Sequence, residues 1–211
     1  MKDFGYTEKE KKLFRKLNTP QKIQDYLNKL PFNFREGCVF SSPREVIKRG
    51  TVDCLEGALL ASAILEFHRH KPLVIDLRSS AKPFDYDHIV AVFKQYGCFG
   101  AISKTNHAVL RYREPIYKTV RELVLSYFHE YYLEDGTKTL REYSESFDLS
   151  TIKNINWRIT EKNLWEIHEK LDEIKHYKIL FSKQIKNLRK ADEIELKATR
   201  LEEYRKGVRL I

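Results

Sequence analysis

The stretch from Asp53 to Phe67 constrains the fold more than any other part of the chain. From Leu55 onward nearly every position is apolar, so a helix here has hardly any polar face. Such a helix is stable only when other elements cover it on all sides. Asp53 and Glu56 have the spacing of a capping box, which places Cys54 at the first helical position. The sequence therefore predicts a core built around a helix that begins with a cysteine.

The position of Cys54 favours a reactive thiol. At the start of a helix the sulfur faces unpaired backbone N–H groups and the positive end of the helix dipole, and both favour the thiolate. The simpler interpretation is a small buried apolar residue, which is the more common role of a lone cysteine. Only a suitably spaced partner residue decides between the two.

The bulk composition predicts a folded protein of one ordinary domain with an appended element, since 42% of its 211 residues are hydrophobic. There is no apolar run of membrane-spanning length and no signal-peptide core at the start, which predicts a cytoplasmic protein without membrane contact. The three cysteines (Cys38, Cys54, Cys98) are odd in number and widely spaced. They match neither a disulfide framework nor a zinc site, so we expect no metal and no cofactor.

The net charge of +9 raises the question of an anionic partner. From Lys178 to the end there are ten Lys/Arg and five Asp/Glu, so this segment holds +5 of the +9. Both signs are interspersed along it, which is typical of a solvated helix. A nucleic-acid partner remains an alternative that the sequence does not favour.

The predicted fold class is α+β, with a buried cysteine-bearing helix packed on a small antiparallel sheet. Residues 1–133 form the core with helices at its N-terminus, and residues 134–211 form a charged helical extension. Hydrophobic periodicity predicts the following elements. Helices are expected at residues 8–17, 20–30, 44–49, 54–67, 120–131, 161–175 and 182–205, and strands at 73–77, 88–93 and 99–104.

His88 is the histidine best placed to serve a catalytic thiol. It begins a strand directly after a polar loop, and it shares a strand face with Val90 while its neighbour Asp87 points the other way. With a two-residue hairpin at Tyr96-Gly97, Ser103 becomes a diagonal neighbour of His88 on the same face. A three-residue loop would move Ser103 to the other face.

Three short stretches between residues 49 and 106 resemble the core of the transglutaminase-like superfamily of papain-like thiol enzymes. The stretches are Gly50-x-x-Asp53-Cys54-x-x-x-Ala58-x-Leu60, Asp87-His88-Ile89-Val90-Ala91-Val92-Phe93 and Phe99-Gly100-Ala101-Ile102-Ser103. The resemblance implies a papain/transglutaminase-like core and a catalytic triad of Cys54, His88 and a third residue. Ser103 occupies the position where the family has an aspartate, and Asn106 is the alternative third member.

The resemblance implies a cysteine hydrolase, such as a protease or amidase, or an acyltransferase. In this mechanism the Cys54 thiolate and His88 form an acyl-thioenzyme with a peptide, amide or ester substrate whose identity is unknown. The main alternative is an inactive transglutaminase-like binding domain, which predicts that Cys54 and His88 do not make contact. Arg111 and Arg113 are expected either to bind an acidic substrate or to form structural ion pairs with Glu114 or Asp85.

Overall fold

The structure of the protein is a computed structural model that describes residues 4–34, 37 and 39–203. Cys38, which the sequence suggests is structural, lies outside these residues. The helices are α1 (Glu8–Lys16), α2 (Pro20–Lys29), α3 (Pro43–Arg49), α4 (Cys54–Phe67), α5 (Val120–Leu125), α6 (Trp165–Glu173), α7 (Ser182–Lys186) and α8 (Glu193–Thr199). The strands are β1 (Leu73–Arg78), β2 (His88–Gln95), β3 (Cys98–Ile102), β4 (Arg113–Tyr117), β5 (Glu142–Ser144), β6 (Phe147–Asp148) and β7 (His176–Lys178).

The strands of the described chain form one antiparallel sheet in the order β4-β3-β2-β1-β5-β7, with β6 also pairing with β1. The mixed α and β class with an antiparallel sheet is therefore confirmed. The sheet is larger than predicted because four short strands (β4, β5, β6 and β7) join the three that the sequence indicated. Two 3₁₀ turns, Phe128–Glu130 and Leu149–Thr151, complete the regular structure of the described residues.

Each face of the sheet packs against a separate hydrophobic cluster. On the first face, α4 is buried from Leu55 to Leu65 and packs against alternate residues of β2, namely Ile89, Ala91 and Phe93. On the second face, Val90 and Val92 of β2 pack against α5 and the turn that follows it, through Leu123, Val124, Tyr127 and Tyr131. The fully apolar α4 is therefore buried, as its sequence predicts.

Gly57 allows α4 to approach the end of β3 closely. A Cβ atom at this position would lie 2.7 Å from the Cβ of Lys104, nearer than two such carbons can come. Lys104 is itself buried, and its ammonium group donates to the carbonyl oxygens of Leu27 and Leu30 at the end of α2. Glycine at position 57 thus brings α2, α4 and the sheet together near the first turn of α4.

The hairpin between β2 and β3 has a two-residue loop, the first of the two lengths that the sequence left open. Gln95 pairs with Cys98, and both Tyr96 and Gly97 have positive φ angles, of 53° and 79°. Positive φ at both central residues is typical of a type I′ turn. The same register pairs Val92 with Ala101, so Ser103 lies on the face of β2 that carries His88.

The segment from residue 134 onward is not the purely helical extension that the sequence predicted. It contributes β5, β6 and β7, and Tyr143 of β5 pairs with Leu77 of β1. Its side chains also join the first cluster, through Leu149, Trp157 and Ile167 among others. Strands of two or three residues are too short to show the alternating pattern that identifies a strand in a sequence.

Three predicted helices are shorter than expected, and the one expected at 161–175 spans only Trp165–Glu173. The helix expected at 120–131 ends at Leu125, and the helix expected at 182–205 is divided into α7 and α8. α8 begins after Asp192, whose backbone N–H donates to the Glu195 side chain at 2.6 Å.

Cations in this region pair with acids, as Lys190 does with Asp135 and Lys197 with Glu193. None of the described helices has the length and hydrophobicity needed to cross a bilayer.

Candidate active site at the start of α4 and β2

The capping box at the start of α4 is present as predicted. The Asp53 carboxylate accepts from the backbone N–H of Glu56 at 2.8 Å, and the Glu56 carboxylate accepts from the backbone N–H of Asp53 at 3.3 Å. Cys54 is the first residue of the helix. The cap therefore fixes the backbone on both sides of the thiol.

Glu56 anchors the segments that precede α4. Its carboxylate has no exposed surface and forms an ion pair with Arg49 at 2.5 Å. It also accepts from the backbone N–H of Ser41 at 3.0 Å and from the side-chain amide of Asn33 at 3.2 Å. One buried carboxylate thus joins two loops and an arginine to the turn that carries Cys54.

The thiol of Cys54 is protonated in the resting protein. Burial raises the pKa of Cys54 to about 12, and the negative charge of Asp53 acts in the same direction. Backbone N–H groups of Ile89 and Leu55 favour the thiolate but do not offset these effects. The loss of hydration thus opposes the thiolate that the start of the helix favours.

His88 and Ser103 are in direct contact, as predicted. The Nε2 atom of His88 lies 2.7 Å from the Ser103 hydroxyl oxygen, which in turn donates its proton to the Leu110 carbonyl at 2.5 Å. A hydroxyl has a single proton, so Ser103 must accept from Nε2–H. His88 is then the tautomer whose Nδ1 is free of a proton. Nε2 contacts Ser103 rather than Asn106, the alternative third member.

Burial keeps the His88 ring neutral and lowers its pKa from 6.5 to about 4. The ring nitrogen Nδ1 is therefore available as a base at neutral pH. No carboxylate of the described residues is hydrogen-bonded to the ring, and the Ser103 hydroxyl stands where a charged partner would raise the pKa of His88. The resting Cys54–His88 pair is a thiol and a neutral imidazole.

The buried neutral ring makes stability depend on pH. Between the unfolded pKa of 6.5 and the folded pKa of about 4, the unfolded chain binds a proton at His88 that the folded protein does not. With respect to His88, the folded protein therefore has its full stability above pH 6.5 and loses stability as the pH falls toward 4. We expect protonation of His88 in the unfolded chain to lower the free energy of unfolding by about 3 kcal/mol over that interval.

The measurement is urea denaturation of the wild type and the His88→Gln variant at several pH values. Glutamine can still donate to Ser103 but does not titrate, so the variant should lose less stability in acid than the wild type. Other buried groups titrate in both proteins and cancel in the difference. The same acid dependence in both proteins would contradict the assignment.

Cys54 and His88 meet at one end of the sheet but from opposite faces. Cys54 begins the helix on the first face, whereas the His88 side chain lies in line with Val90 on the second face. The described atoms of the two residues form no hydrogen bond with each other. They are close along the backbone, since the N–H of Ile89 lies near enough to the Cys54 sulfur to affect its pKa.

Tyr131 reaches the same end of the sheet, although its sequence pattern indicates only a core aromatic residue. Its side chain is buried, and its hydroxyl contacts the carbonyl oxygens of Leu77 and Tyr86. Burial raises the Tyr131 pKa well above its ordinary value, and nearby acidic groups and the thiol of Cys54 add to this effect. Tyr131 therefore stays protonated and holds the backbone two residues before His88. A buried tyrosine without a sequence motif gives no signal of such a role.

The two arginines considered as substrate ligands form structural contacts with other partners than those expected. Arg113 pairs with Glu130 at 2.6 Å and lies over the ring of Tyr127 at 4.1 Å. Arg111 pairs with Glu203. Within the described residues, neither arginine forms an ion pair with Glu114 or Asp85.

One group of acids resembles a cation site in its spacing. Oxygen atoms of Asp76, Asp87 and Asp172 lie within 4.8 Å of one another. Arg78 lies beside two of them, at 3.8 Å from Asp76 and 3.4 Å from Asp172, and His176 contacts the buried Asp76 at 3.0 Å. Arg78 and His176 thus link two of the three acids, Asp76 and Asp172, to basic side chains.

A polar cavity of about 250 Å³ lies beside the loops that precede α4. Its lining includes Ser41 and Arg49, both of which contact Glu56 one turn from the thiol. Cys54 and His88 do not line it.

Comparison of the chain with models of known protein families and with curated proteins gives no match.

Proposed function

We propose that the protein is a transglutaminase-like cysteine hydrolase or acyltransferase in which Cys54 is the nucleophile and His88 the base. The observation that supports this most directly is the hydrogen-bond chain from His88 Nε2 through Ser103 to the Leu110 carbonyl. The chain holds the ring in the tautomer whose Nδ1 can accept a proton.

In the proposed reaction the proton moves as the sulfur attacks, because the resting pair is neutral. The Cys54 thiol gives its proton to His88 Nδ1 through one water, and the sulfur bonds to the carbonyl carbon of a peptide, amide or ester. Collapse of the tetrahedral intermediate breaks the bond to the leaving group, which takes the proton from His88. Water then hydrolyses the thioester in a hydrolase, and an amine replaces water in a transferase.

The start of α4 can stabilise the oxyanion of this intermediate. Backbone N–H groups in the first turn of a helix have no partners within the helix and point toward its end. The N–H of Cys54 belongs to this turn, as does that of Leu55. Such donors act best where water is excluded, as in the enclosed surroundings of this thiol.

The test is acylation by 4-nitrophenyl acetate, with release of nitrophenolate and mass spectrometry of the modified peptide. We expect a burst that acetylates Cys54, and its loss in Cys54→Ala. The Cys98→Ala variant should keep the burst, since Cys98 is also a half-buried free cysteine but lies in the hairpin. We expect His88→Gln to slow acylation about 100-fold or more, the usual range for a lost general base.

A second candidate is a binding domain of the same fold without turnover. The observation that favours it is the absence of a hydrogen bond between the Cys54 thiol and the His88 ring, both fully described. It predicts slow acetylation of Cys54 and Cys98 at similar rates, with no effect of His88→Gln. That result would contradict the enzyme and support the binding domain.

A further inference from the structure

The last described residues of the chain pair with the loop that follows β3. We call residues 201–203 the terminal segment and residues 104–111 the receiving loop. The Leu201 carbonyl accepts from the backbone N–H of Ala108 at 3.1 Å, and the Glu203 N–H donates to the Asn106 carbonyl at 2.9 Å. Glu202 and His107 form the antiparallel bridge between these bonds. The terminal segment thus lies on the receiving loop as an extended strand.

Side chains of the receiving loop bind the acid of the terminal segment. Both terminal nitrogens of the Arg111 guanidinium lie 3.3 Å from the two carboxylate oxygens of Glu203. The Nε of the same arginine donates to the His107 carbonyl at 2.8 Å, which fixes the guanidinium on the loop. Burial lowers the pKa of Lys104 to about 8, and the charge of Glu203 opposes this only in part. Arg111 is therefore the cation of the loop that binds the glutamate.

The contact is shallow and separable. Leu201 is 66% exposed, and Glu202 and Glu203 are exposed as well. Backbone hydrogen bonds and one exposed ion pair hold the segment, and interactions of this kind contribute little individually. None of residues 201–203 belongs to either hydrophobic cluster, so displacement of the segment leaves both clusters intact.

The receiving loop is also part of the candidate active site. Its Leu110 carbonyl accepts the proton of Ser103, which fixes the His88 tautomer. Its Lys104 side chain packs against Gly57 in the first turn of α4. A chain bound along this loop therefore lies at the end of the sheet where Cys54 and His88 meet.

We propose that the receiving loop is a binding edge for an extended acidic peptide, and that the terminal segment occupies this edge intramolecularly. The inference rests on the proposed function, for which it names the substrate class. Backbone groups of residues 106 and 108 pair with the peptide backbone, as in strand addition to an exposed edge. Arg111 selects a carboxylate at the position that Glu203 now holds.

The test uses the full chain with Cys54→Ser, so that acyl transfer plays no part. In this background Glu203→Gln removes the charge that Arg111 binds, and Glu202→Gln is the matched control, because the ion pair to Arg111 comes from Glu203. The probe is the acetylated and amidated peptide of residues 198–203, Ala-Thr-Arg-Leu-Glu-Glu, followed by the NMR signal of the Ala108 amide.

We expect the peptide to bind the Glu203→Gln protein about threefold to fivefold more tightly than the Glu202→Gln protein, because the tethered competitor is weaker. A peptide with glutamine in place of Glu203 should bind the Glu203→Gln protein about threefold to fivefold more weakly than the unchanged peptide. Equal affinity of the two proteins, equal affinity of the two peptides, or an undisturbed Ala108 signal would each overturn the inference.

These outcomes are separate from those of the acetylation experiment. A Cys54 acetylation burst with no discrimination between the peptides would support the proposed function and contradict the peptide-binding edge. Selective peptide binding without the burst would support the peptide-binding edge and contradict the proposed enzyme. Each measurement therefore decides one of the two proposals.

Discussion

Glu56→Ala should lower the free energy of unfolding by about 3–5 kcal/mol, the usual cost of breaking a buried ion pair by removing one partner. The Glu56 carboxylate has no exposed surface, and its loss leaves the Arg49 guanidinium without its 2.5 Å partner. The backbone N–H groups of Ser41 and Asp53 lose their acceptor at the same time. Urea denaturation of the wild type and the variant measures the change.

Glu45→Ala is the matched control for Glu56→Ala. Glu45 occupies the same position in α3 as Glu56 in α4, since its backbone N–H donates to the N-cap side chain of Ser42. Its ion pair with Lys48 is partly exposed, with 30% of the Glu45 side chain accessible. We expect a loss of less than about 1 kcal/mol here. Equal losses in the two variants would contradict the role given to the buried carboxylate.

Trp157→Ala should also destabilise the protein by about 3–5 kcal/mol, as expected for the truncation of a large buried aromatic residue. The Trp157 ring has no exposed surface, and its Nε1–H donates to the Leu149 carbonyl at 2.9 Å. It belongs to the cluster that packs around α4, although it lies well beyond residue 133. Its loss should therefore lower the stability of the whole chain in a single unfolding transition.

The second tryptophan provides the control for the first. Trp165 is half-buried and stacks on His168 with a centroid separation of 4.7 Å. Its replacement by alanine should cost clearly less than that of Trp157. Two separate urea transitions in Trp157→Ala, with only one of them weakened, would instead support an independent unit after residue 133.

The parts of the fold that the sequence predicts are those whose signal is local. The capping box of Asp53 and Glu56, the apolar α4 and the hairpin at Tyr96-Gly97 each depend on residues only a few positions apart. The sheet partners β5 and β7 have no such signal. Their three-residue strands depend on pairing with segments far away in the chain, as Tyr143 pairs with Leu77.

The same division holds for the candidate site. The register of the hairpin was enough to bring Ser103 to His88, and the structure confirms that contact. The helix dipole that favours the Cys54 thiolate is visible in the sequence, whereas the burial that raises the pKa of Cys54 is not. The contribution of Tyr131 depends on how the turn after α5 folds back onto the sheet, which no short motif encodes.

The length of the turn at Tyr96-Gly97 determines which side chains of β3 lie on the same face of the sheet as His88. The turn lies at the far end of β2, about 23 Å from His88 at the usual rise of a strand. Because successive side chains alternate between faces, one residue added to or removed from this loop exchanges the inward and outward members of β3. Lys104 would then take the place of Ser103 beside the histidine, and the ring would meet an ammonium group instead of a hydroxyl. The chemistry at one end of the sheet is thus encoded by the length of a solvent-exposed turn at the other.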